Sequence, residues 1–131
     1  MIIVDDQLSA AVLSERRSFP DDVATTWAFH FRLLRALHDP RGGGQLTQAS
    51  ADGLLPIAAK PPPELLMVLD PRATNDQAAA FAITHRLNLL TAQLLAAATH
   101  HGATVALSDG NVGRSWPALF EGHGVPLEVI T

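Results

Sequence analysis

The sequence predicts an α/β domain built on a parallel β-sheet, and two observations support this prediction. Short apolar or β-branched runs alternate along the chain with longer segments of helical periodicity, which is the pattern of βαβ units. The chain has 131 residues, of which 47% are hydrophobic and 17% charged. It is therefore long enough for one hydrophobic core and too apolar for a disordered tail. We expect one domain with a central sheet of four or five strands and helices on both faces.

Four strands are predicted from the apolar runs, because uninterrupted apolar runs of this length are typical of buried parallel strands. They are Ile2–Val4, residues 65–69, residues 103–107 and Leu127–Ile130.

Helices are predicted at residues 7–13, 46–59, 73–85, 89–100 and 112–120, and in a segment that begins at Asp21 or Asp22. Either aspartate can cap that last helix at its N-terminus. Its apolar stripe (Val23, Trp27, Phe31, Leu34 and Leu37) is expected to pack against the sheet and to make it the longest helix. Gly102 is expected to end the helix before it in a left-handed conformation.

Composition excludes several classes of protein. The net charge is −4 and the sequence pI about 5.8, so no global basic field attracts nucleic acid. Cysteine is absent, which excludes disulfides and thiol chemistry. The acidic Asp5-Asp6 pair follows the first apolar run directly, unlike in a signal peptide, and no apolar run has the length of a membrane span. We expect a soluble cytoplasmic domain without membrane association.

Aspartates follow three of the four predicted strands. Asp5 and Asp6 follow the first strand, Asp70 the second and Asp109 the third. The carboxyl ends of parallel strands meet at one edge of the sheet, where ligands bind in open α/β folds. Converging carboxylates at that edge are the ligands that Mg²⁺ prefers. Ordinary capping by aspartate at helix starts is the alternative explanation for each residue taken alone.

Three stretches of the chain resemble the PIN-domain family, whose bacterial members include the VapC-like toxin ribonucleases of toxin–antitoxin pairs. Ile2-Ile3-Val4-Asp5 is similar to the opening strand and first acidic residue of that family. Residues 87–98, followed by residues 102–109, resemble its third acidic helix, a Gly-Ala turn, a strand and the fourth acidic residue. Residues 124–130 resemble its closing strand, whereas residues 40–63 match nothing in it. The resemblance implies a PIN-like three-layer α/β/α sandwich over residues 1–131.

The resemblance also implies an activity and a site. PIN-domain ribonucleases hold Mg²⁺ or Mn²⁺ on carboxylates, and the metal activates water for attack on an RNA phosphodiester. Carried over to this chain, Asp5 and Asp109 are the expected catalytic residues and metal ligands, and Asp6 and Asn111 offer further oxygens. The implied partners are RNA and an antitoxin-like protein. The apolar helix surface separately predicts a homodimer.

The chain departs from the family pattern at the other two acidic positions: the second falls on Arg32, or on His30 in an alternative register, and the third falls on Thr91. A threonine supplies no carboxylate, and an arginine places a positive charge where the cation would lie. At ~4 Å and an effective dielectric constant near 20, two unit charges interact by about 4 kcal/mol. We expect an Arg32–Asp5 contact, weak metal binding and low or absent nuclease activity.

Two further interpretations remain open. The aromatic helix segment could contact RNA through His30, Arg32 and Arg35, as a non-catalytic PIN-like binding module for RNA or a protein partner; core packing of its aromatic rings is the alternative. Separately, Asp5-Asp6 and Asp70 resemble the acidic pair and phosphoacceptor of a response-regulator receiver. The only lysine, Lys60, precedes Asp70, whereas receivers use a lysine after a later strand.

Overall fold

The structure is a computed structural model that describes residues 1–39 and 48–131, with side chains described from residue 51 onward in the second range. Five strands are present: β1 (Ile2–Val4), β2 (Val23–Thr25), β3 (Met67–Val68), β4 (Thr104–Ser108) and β5 (Leu127–Ile130). They form one sheet in the order β3-β2-β1-β4-β5, and every neighbouring pair is parallel. The predicted parallel sheet is therefore confirmed.

Within the described residues, six α-helices connect and cover these strands. They are α1 (Asp6–Leu13), α2 (Trp27–His38), α3 (Gln48–Ala59), α4 (Asn75–His85), α5 (Leu89–His101) and α6 (Trp116–Gly122). Two short 3₁₀ turns, Pro71–Ala73 and Asp109–Asn111, follow β3 and β4. The start that the sequence predicts for the third helix, residues 46 and 47, lies outside the described residues.

The sheet has a hydrophobic core on each face because successive strand residues point to opposite sides. Ile3 and Val105 belong to a cluster with apolar residues of α5 and with Phe120 of α6. Val4 and Ala106 belong to a second cluster, with apolar residues of α1, α2 and α3. α4 packs on the outside of α5 through small alanines. This arrangement is the expected three-layer α/β/α sandwich.

The predicted helix at Asp21 or Asp22 is wrong at its start. Residues 23–25 form β2 instead, and α2 begins at Trp27 with Thr26 as its N-cap. Asp21 does not cap a helix, since its carboxylate binds the amino group of Met1 at 2.6 Å. The β-branched Val23 and Thr25 favour a strand, and Thr25 donates its hydroxyl to the Val4 carbonyl of β1 at 2.7 Å.

This shift changes which residues of α2 face the core. The buried residues are Ala28, Phe29, Leu33 and Leu37. Trp27 and Phe31, which the sequence places in the apolar stripe, are 47% and 54% exposed, so their predicted packing against the sheet is wrong. The helix is also not the longest described, because α5 has 13 residues and α2 has 12.

The N-terminus of α2 is held by two side chains. Thr26 accepts a hydrogen bond from the Phe29 N–H at 3.2 Å, and buried Gln93 of α5 accepts one from the Ala28 N–H at 2.8 Å. The first N–H groups of a helix have no partner within the helix. Gln93 therefore satisfies a buried donor and joins α2 to α5 across the end of the sheet.

The other helix and strand boundaries agree with the predicted ones or differ from them by a few residues. Gly102 ends α5 with φ of 60°, as predicted. α6 begins at Trp116 rather than near residue 112, because the 3₁₀ turn Asp109–Asn111 follows β4 directly. None of the helices within the described ranges has the length and apolar character needed to span a bilayer.

We predict that Gln93→Ala lowers the free energy of unfolding by about 1–3 kcal/mol, because the buried Ala28 N–H loses its acceptor. Urea unfolding followed by circular dichroism measures this loss. Gln7→Ala is the matched control, since Gln7 is exposed and should change stability by less than about 0.5 kcal/mol. Equal effects of the two substitutions would contradict the capping role of Gln93.

Candidate functional site

The carboxyl ends of β1 and β4 lie side by side in the middle of the sheet. Strands β2 and β3 continue the sheet on one side of this pair, and β5 continues it on the other. The chain therefore reverses its winding direction between β1 and β4, and ligand sites of open α/β sheets lie at such a switch point. Asp5 follows β1 and Ser108 ends β4, so both residues lie at this position.

Asp5 is fully buried, and four hydrogen bonds satisfy its carboxylate. Its Oδ1 accepts from the Leu8 N–H of α1 at 2.8 Å, which makes Asp5 the N-cap of that helix. Its Oδ2 accepts from the Ser108 N–H at 2.7 Å and the Ser108 hydroxyl at 2.5 Å. Asn111 Nδ2 donates to the same oxygen at 2.8 Å. Three of the four donors therefore converge on Oδ2, and Oδ1 accepts one.

Asp6 and Arg32 form an ion pair beside Asp5. Arg32 Nε lies 3.0 Å from Asp6 Oδ2, and Arg32 Nη2 donates to Asn111 Oδ1 at 2.8 Å. Asn111 Nδ2 also donates to Asp6 Oδ1 at 2.9 Å. The Arg32 guanidinium carbon lies 5.7 Å from the centre of the Phe29 ring, a cation–π contact. Asn111 thus binds both aspartates and the arginine. We call these four residues (Asp5, Asp6, Arg32 and Asn111) the acidic-edge cluster.

The predicted partner of Arg32 was wrong by one residue. Arg32 pairs with Asp6 and not with Asp5, because Asp5 points inward to cap α1 and to bind Ser108. Asp6 is the first residue of α1 and is only partly buried, so its carboxylate can reach the guanidinium. Asn111 also acts differently from the expected oxygen ligand, since its amide oxygen already accepts from Arg32.

The two remaining positions of the predicted metal site lie outside this cluster of hydrogen bonds. Asp109 is exposed at the start of the 3₁₀ turn, and the described part of the chain gives its carboxylate no hydrogen-bond partner. Thr91 is buried in the first turn of α5, where Asn88 caps its backbone N–H at 2.9 Å.

The cluster as it stands does not fit Mg²⁺ or Mn²⁺. Among side chains of residues 1–39 and 51–131, no three of His, Cys, Asp or Glu come together in a way that could hold a metal ion. Asp5 is fully buried and its Oδ2 already accepts three hydrogen bonds, and the Arg32 guanidinium forms an ion pair with Asp6. Hard cations require free oxygen ligands and are disfavoured beside a fixed positive charge. The catalytic roles assigned to Asp5 and Asp109 therefore remain predictions from the resemblance.

Of the three residues named for RNA contact, His30 and Arg32 bind other residues of the protein, whereas Arg35 has no partner among the described residues. His30 Nε2–H donates to the Ala58 carbonyl at 2.8 Å, which joins α2 to the end of α3. Arg32 is held by the cluster. Arg35 is exposed, and no other described residue binds it. Beside it the exposed Trp27 and Phe31 rings stack with centroids 5.7 Å apart.

Asp70, the phosphoacceptor of the receiver alternative, lies away from Asp5. It follows β3 at the edge of the sheet, and β2 separates that strand from β1. Its carboxylate hydrogen-bonds the Arg72 guanidinium at 2.6 Å, and this bond lowers the pKa of Asp70. The receiver geometry, in which the acidic pair and the phosphoacceptor share one pocket, is therefore absent from the described residues.

Two residues of the site were missed by the sequence reasoning. Ser108 lies directly after the predicted strand at residues 103–107, and it provides two of the four donors to Asp5. Gln93 lies within the predicted helix at residues 89–100, and it caps α2. A polar residue within an otherwise buried run was the available signal for both, because buried polar groups require partners.

We predict that Asn111→Ala lowers the free energy of unfolding by about 1–3 kcal/mol, since it removes donors to two carboxylates and the acceptor for Arg32. A double-mutant cycle with Arg32→Ala should show a coupling of about 0.5–3 kcal/mol. Asn75→Ala is the control, because Asn75 is exposed on α4. Additive effects of Asn111→Ala and Arg32→Ala would show that the two side chains do not interact in solution.

Comparisons with known proteins identify the fold. No protein-family model and no curated protein sequence matches the chain. A chain of a toxin–antitoxin complex from Klebsiella pneumoniae superposes with a TM-score of 0.60 and 13% identity, over 100% of this chain and 97% of that one. A chain of FitAB bound to an IR36 DNA fragment superposes with a TM-score of 0.56 and 17% identity, over 98% and 94%.

A chain of FitAcB from Neisseria gonorrhoeae gives a TM-score of 0.53 and 19% identity, over 98% of this chain and 96% of that one. At these identities the likeness establishes the fold alone. The superpositions extend over nearly the full length of all three chains. The protein therefore has the PIN-like α/β fold of chains found in toxin–antitoxin complexes, as the sequence predicts.

Proposed function

We propose that this chain is a PIN-like toxin-type protein that acts by binding an antitoxin-like protein, with ribonuclease activity weak or absent. The observation that carries the proposal is the Arg32 guanidinium, which lies 3.0 Å from Asp6 at the switch point of the sheet. It occupies the place where the family resemblance puts a metal-binding carboxylate. The likeness to chains of toxin–antitoxin complexes supports the choice of partner.

The charge of Arg32 opposes a metal ion directly. A divalent cation about 4 Å from the guanidinium would be repelled by about 8 kcal/mol at an effective dielectric constant near 20, and by less where water screens the charges. The side chains of Arg32 and Asp6 are 42% and 13% exposed, so some screening applies. Binding of Mg²⁺ through Asp5 Oδ2 would further require that oxygen to give up donors such as the Ser108 backbone N–H.

The outer face of α2 is the surface that we assign to the protein partner. The stacked Trp27 and Phe31 rings are about half exposed, and Arg35 lies one turn further along the same face. Exposed aromatic residues next to an unpaired arginine are typical of protein interfaces. RNA is less favoured, because His30 and Arg32 are engaged within the protein and the net charge is −4.

We predict that the native protein binds neither Mg²⁺ nor Mn²⁺ at millimolar concentration and that Arg32→Glu creates a site with sub-millimolar affinity. The substitution removes the repelling cation and adds a carboxylate beside Asp6. Isothermal titration calorimetry measures the binding. Arg35→Glu is the matched control, because it makes the same change of charge on the same helix without reaching the acidic-edge cluster. The Arg35→Glu variant should show no heat of binding with either metal ion.

The same proteins should be incubated with single-stranded RNA and each metal. No cleavage by the native protein is expected. Mg²⁺-dependent cleavage by the native protein that Asp5→Asn abolishes would overturn the proposal and restore the ribonuclease interpretation.

We predict that Phe31→Asp weakens the complex with an antitoxin-like protein by about tenfold or more, because an exposed aromatic anchor is lost. Co-expression followed by calorimetry on the purified pair measures the affinity. Ile83→Asp is the control, since Ile83 is exposed on α4. Undiminished affinity of Phe31→Asp would reject the α2 face as the partner site, and binding of RNA lost in the same variant would favour RNA as the ligand.

A further inference from the structure

Two histidine rings lie together at the C-terminal ends of α4 and α6. His85 is the last residue of α4, and His123 directly follows the last residue of α6. The centres of the two imidazole rings are 5.1 Å apart, and the ring planes are nearly perpendicular, at 84°. Neither residue belongs to the acidic-edge cluster or to the outer face of α2, so the candidate site described above does not account for this pair.

The Phe81 ring holds the two imidazoles in place. Phe81 lies one turn before His85 on α4, with the ring centres 6.1 Å apart, and it packs edge-on against His123 at 5.0 Å. Phe81 is itself partly buried against the hydrophobic core. The pair is therefore anchored at its base by a ring that the core supports.

A backbone hydrogen bond sets the tautomer of His123. Its Nδ1 lies 2.9 Å from the Leu119 carbonyl oxygen. A carbonyl oxygen only accepts, so Nδ1–H donates, and the lone pair of the neutral ring lies on Nε2. Histidines that bind a metal ion have this arrangement, in which one ring nitrogen donates to a carbonyl and the other binds the ion. Within the described chain, no hydrogen bond occupies Nε2 of His123 or either ring nitrogen of His85.

The separation of the two rings matches that of two ligands on one zinc ion. With Zn–N distances of about 2.0–2.1 Å and a tetrahedral angle of about 109°, two bound imidazoles have their centres about 5.2 Å apart. The observed separation is 5.1 Å. Packing of two rings without a metal allows a wider range, about 4.5–7 Å, and requires no free nitrogen on either ring.

The surroundings of the pair also suit a cation. The last carbonyl groups of a helix give its C-terminus a partial negative charge, and both histidines lie at such an end. His85 is exposed and His123 is partly exposed, so an ion can reach both rings from solvent. Arg86 follows His85, but its side chain is exposed and water therefore screens its charge.

We propose that His85 and His123 together bind one Zn²⁺ ion through a ring nitrogen of each, with water completing a tetrahedral coordination shell. Among the side chains that the structure describes, no third His, Cys, Asp or Glu joins them in a metal-binding group, so the protein supplies two ligands. Imidazole suits Zn²⁺, whereas Mg²⁺ prefers oxygen ligands. The bound ion would join the C-terminal ends of α4 and α6. This inference does not depend on the function proposed above, since it uses neither the acidic-edge cluster nor the outer face of α2.

Isothermal titration calorimetry of the full chain with zinc chloride tests the proposal. The native protein should bind one ion per chain with a Kd below about 1 mM. His85→Ala and His123→Phe should each weaken binding by about tenfold or more, because each removes one of two ligands. His85 is exposed, and phenylalanine at position 123 retains a ring against Phe81, so circular dichroism should show both variants folded.

His100→Ala is the matched control. His100 and His101 also lie ring to ring, with centres 4.8 Å apart, but neighbouring residues of a helix do not face each other. The control should change the Kd for zinc by less than about twofold.

Nuclear magnetic resonance of the ¹⁵N-labelled histidine rings gives a readout that identifies the ligands. Zinc should shift the Nε2 resonance of His123 and one ring resonance of His85, and it should leave those of His30 and His38 in place. Absence of zinc binding by the native protein at 1 mM, on the order of the weakest Kd expected here, would disprove the site. Binding that persists in His85→Ala, or that is lost in His100→Ala, would disprove it equally.

Discussion

The buried carboxylate of Asp5 determines the geometry of the carboxyl edge of the sheet. It caps α1 through the Leu8 N–H and binds both donors of Ser108 at the end of β4. Strands β1 and β4 and helix α1 are therefore joined at one point. A buried carboxylate without these donors would strongly destabilise the fold. The Asp5 carboxylate therefore fixes both the position of Ser108 at the end of β4 and the start of α1. Asn111 enters the same arrangement from the turn that follows β4.

Arg32 acts as the counter-ion of this edge. Two neighbouring aspartates at a switch point repel each other unless a cation lies between or beside them. In the acidic-edge cluster that cation is the Arg32 guanidinium. It forms an ion pair with Asp6 and donates a hydrogen bond to the amide oxygen of Asn111. The arrangement gives the fold a site that is electrostatically satisfied without a bound ion. This is the physical reason that binding, rather than metal-dependent cleavage, is the function proposed for the chain.

An apolar surface of α2 remains exposed outside the core. It carries the stacked Trp27 and Phe31 rings beside the exposed Arg35. Aromatic residues with arginine are typical of specific partner interfaces. This chemistry is the basis for assigning the surface to a protein partner in the proposed function.

The parallel α/β architecture follows from the sequence, because apolar runs and helical periodicity report burial directly: β1, β5 and the Gly102 cap lie where these patterns predict them. The family resemblance further indicated Asp5, Asp6, Arg32 and Asn111 as neighbours at one edge. The strand at residues 23–25 depends on tertiary contacts, since Val23 and Thr25 are held by pairing with β1 and not by local periodicity. The Arg32–Asp6 ion pair and the capping of α2 by Gln93 depend on tertiary contacts as well. These contacts join residues distant in sequence, and no local pattern specifies which polar side chain satisfies which buried group.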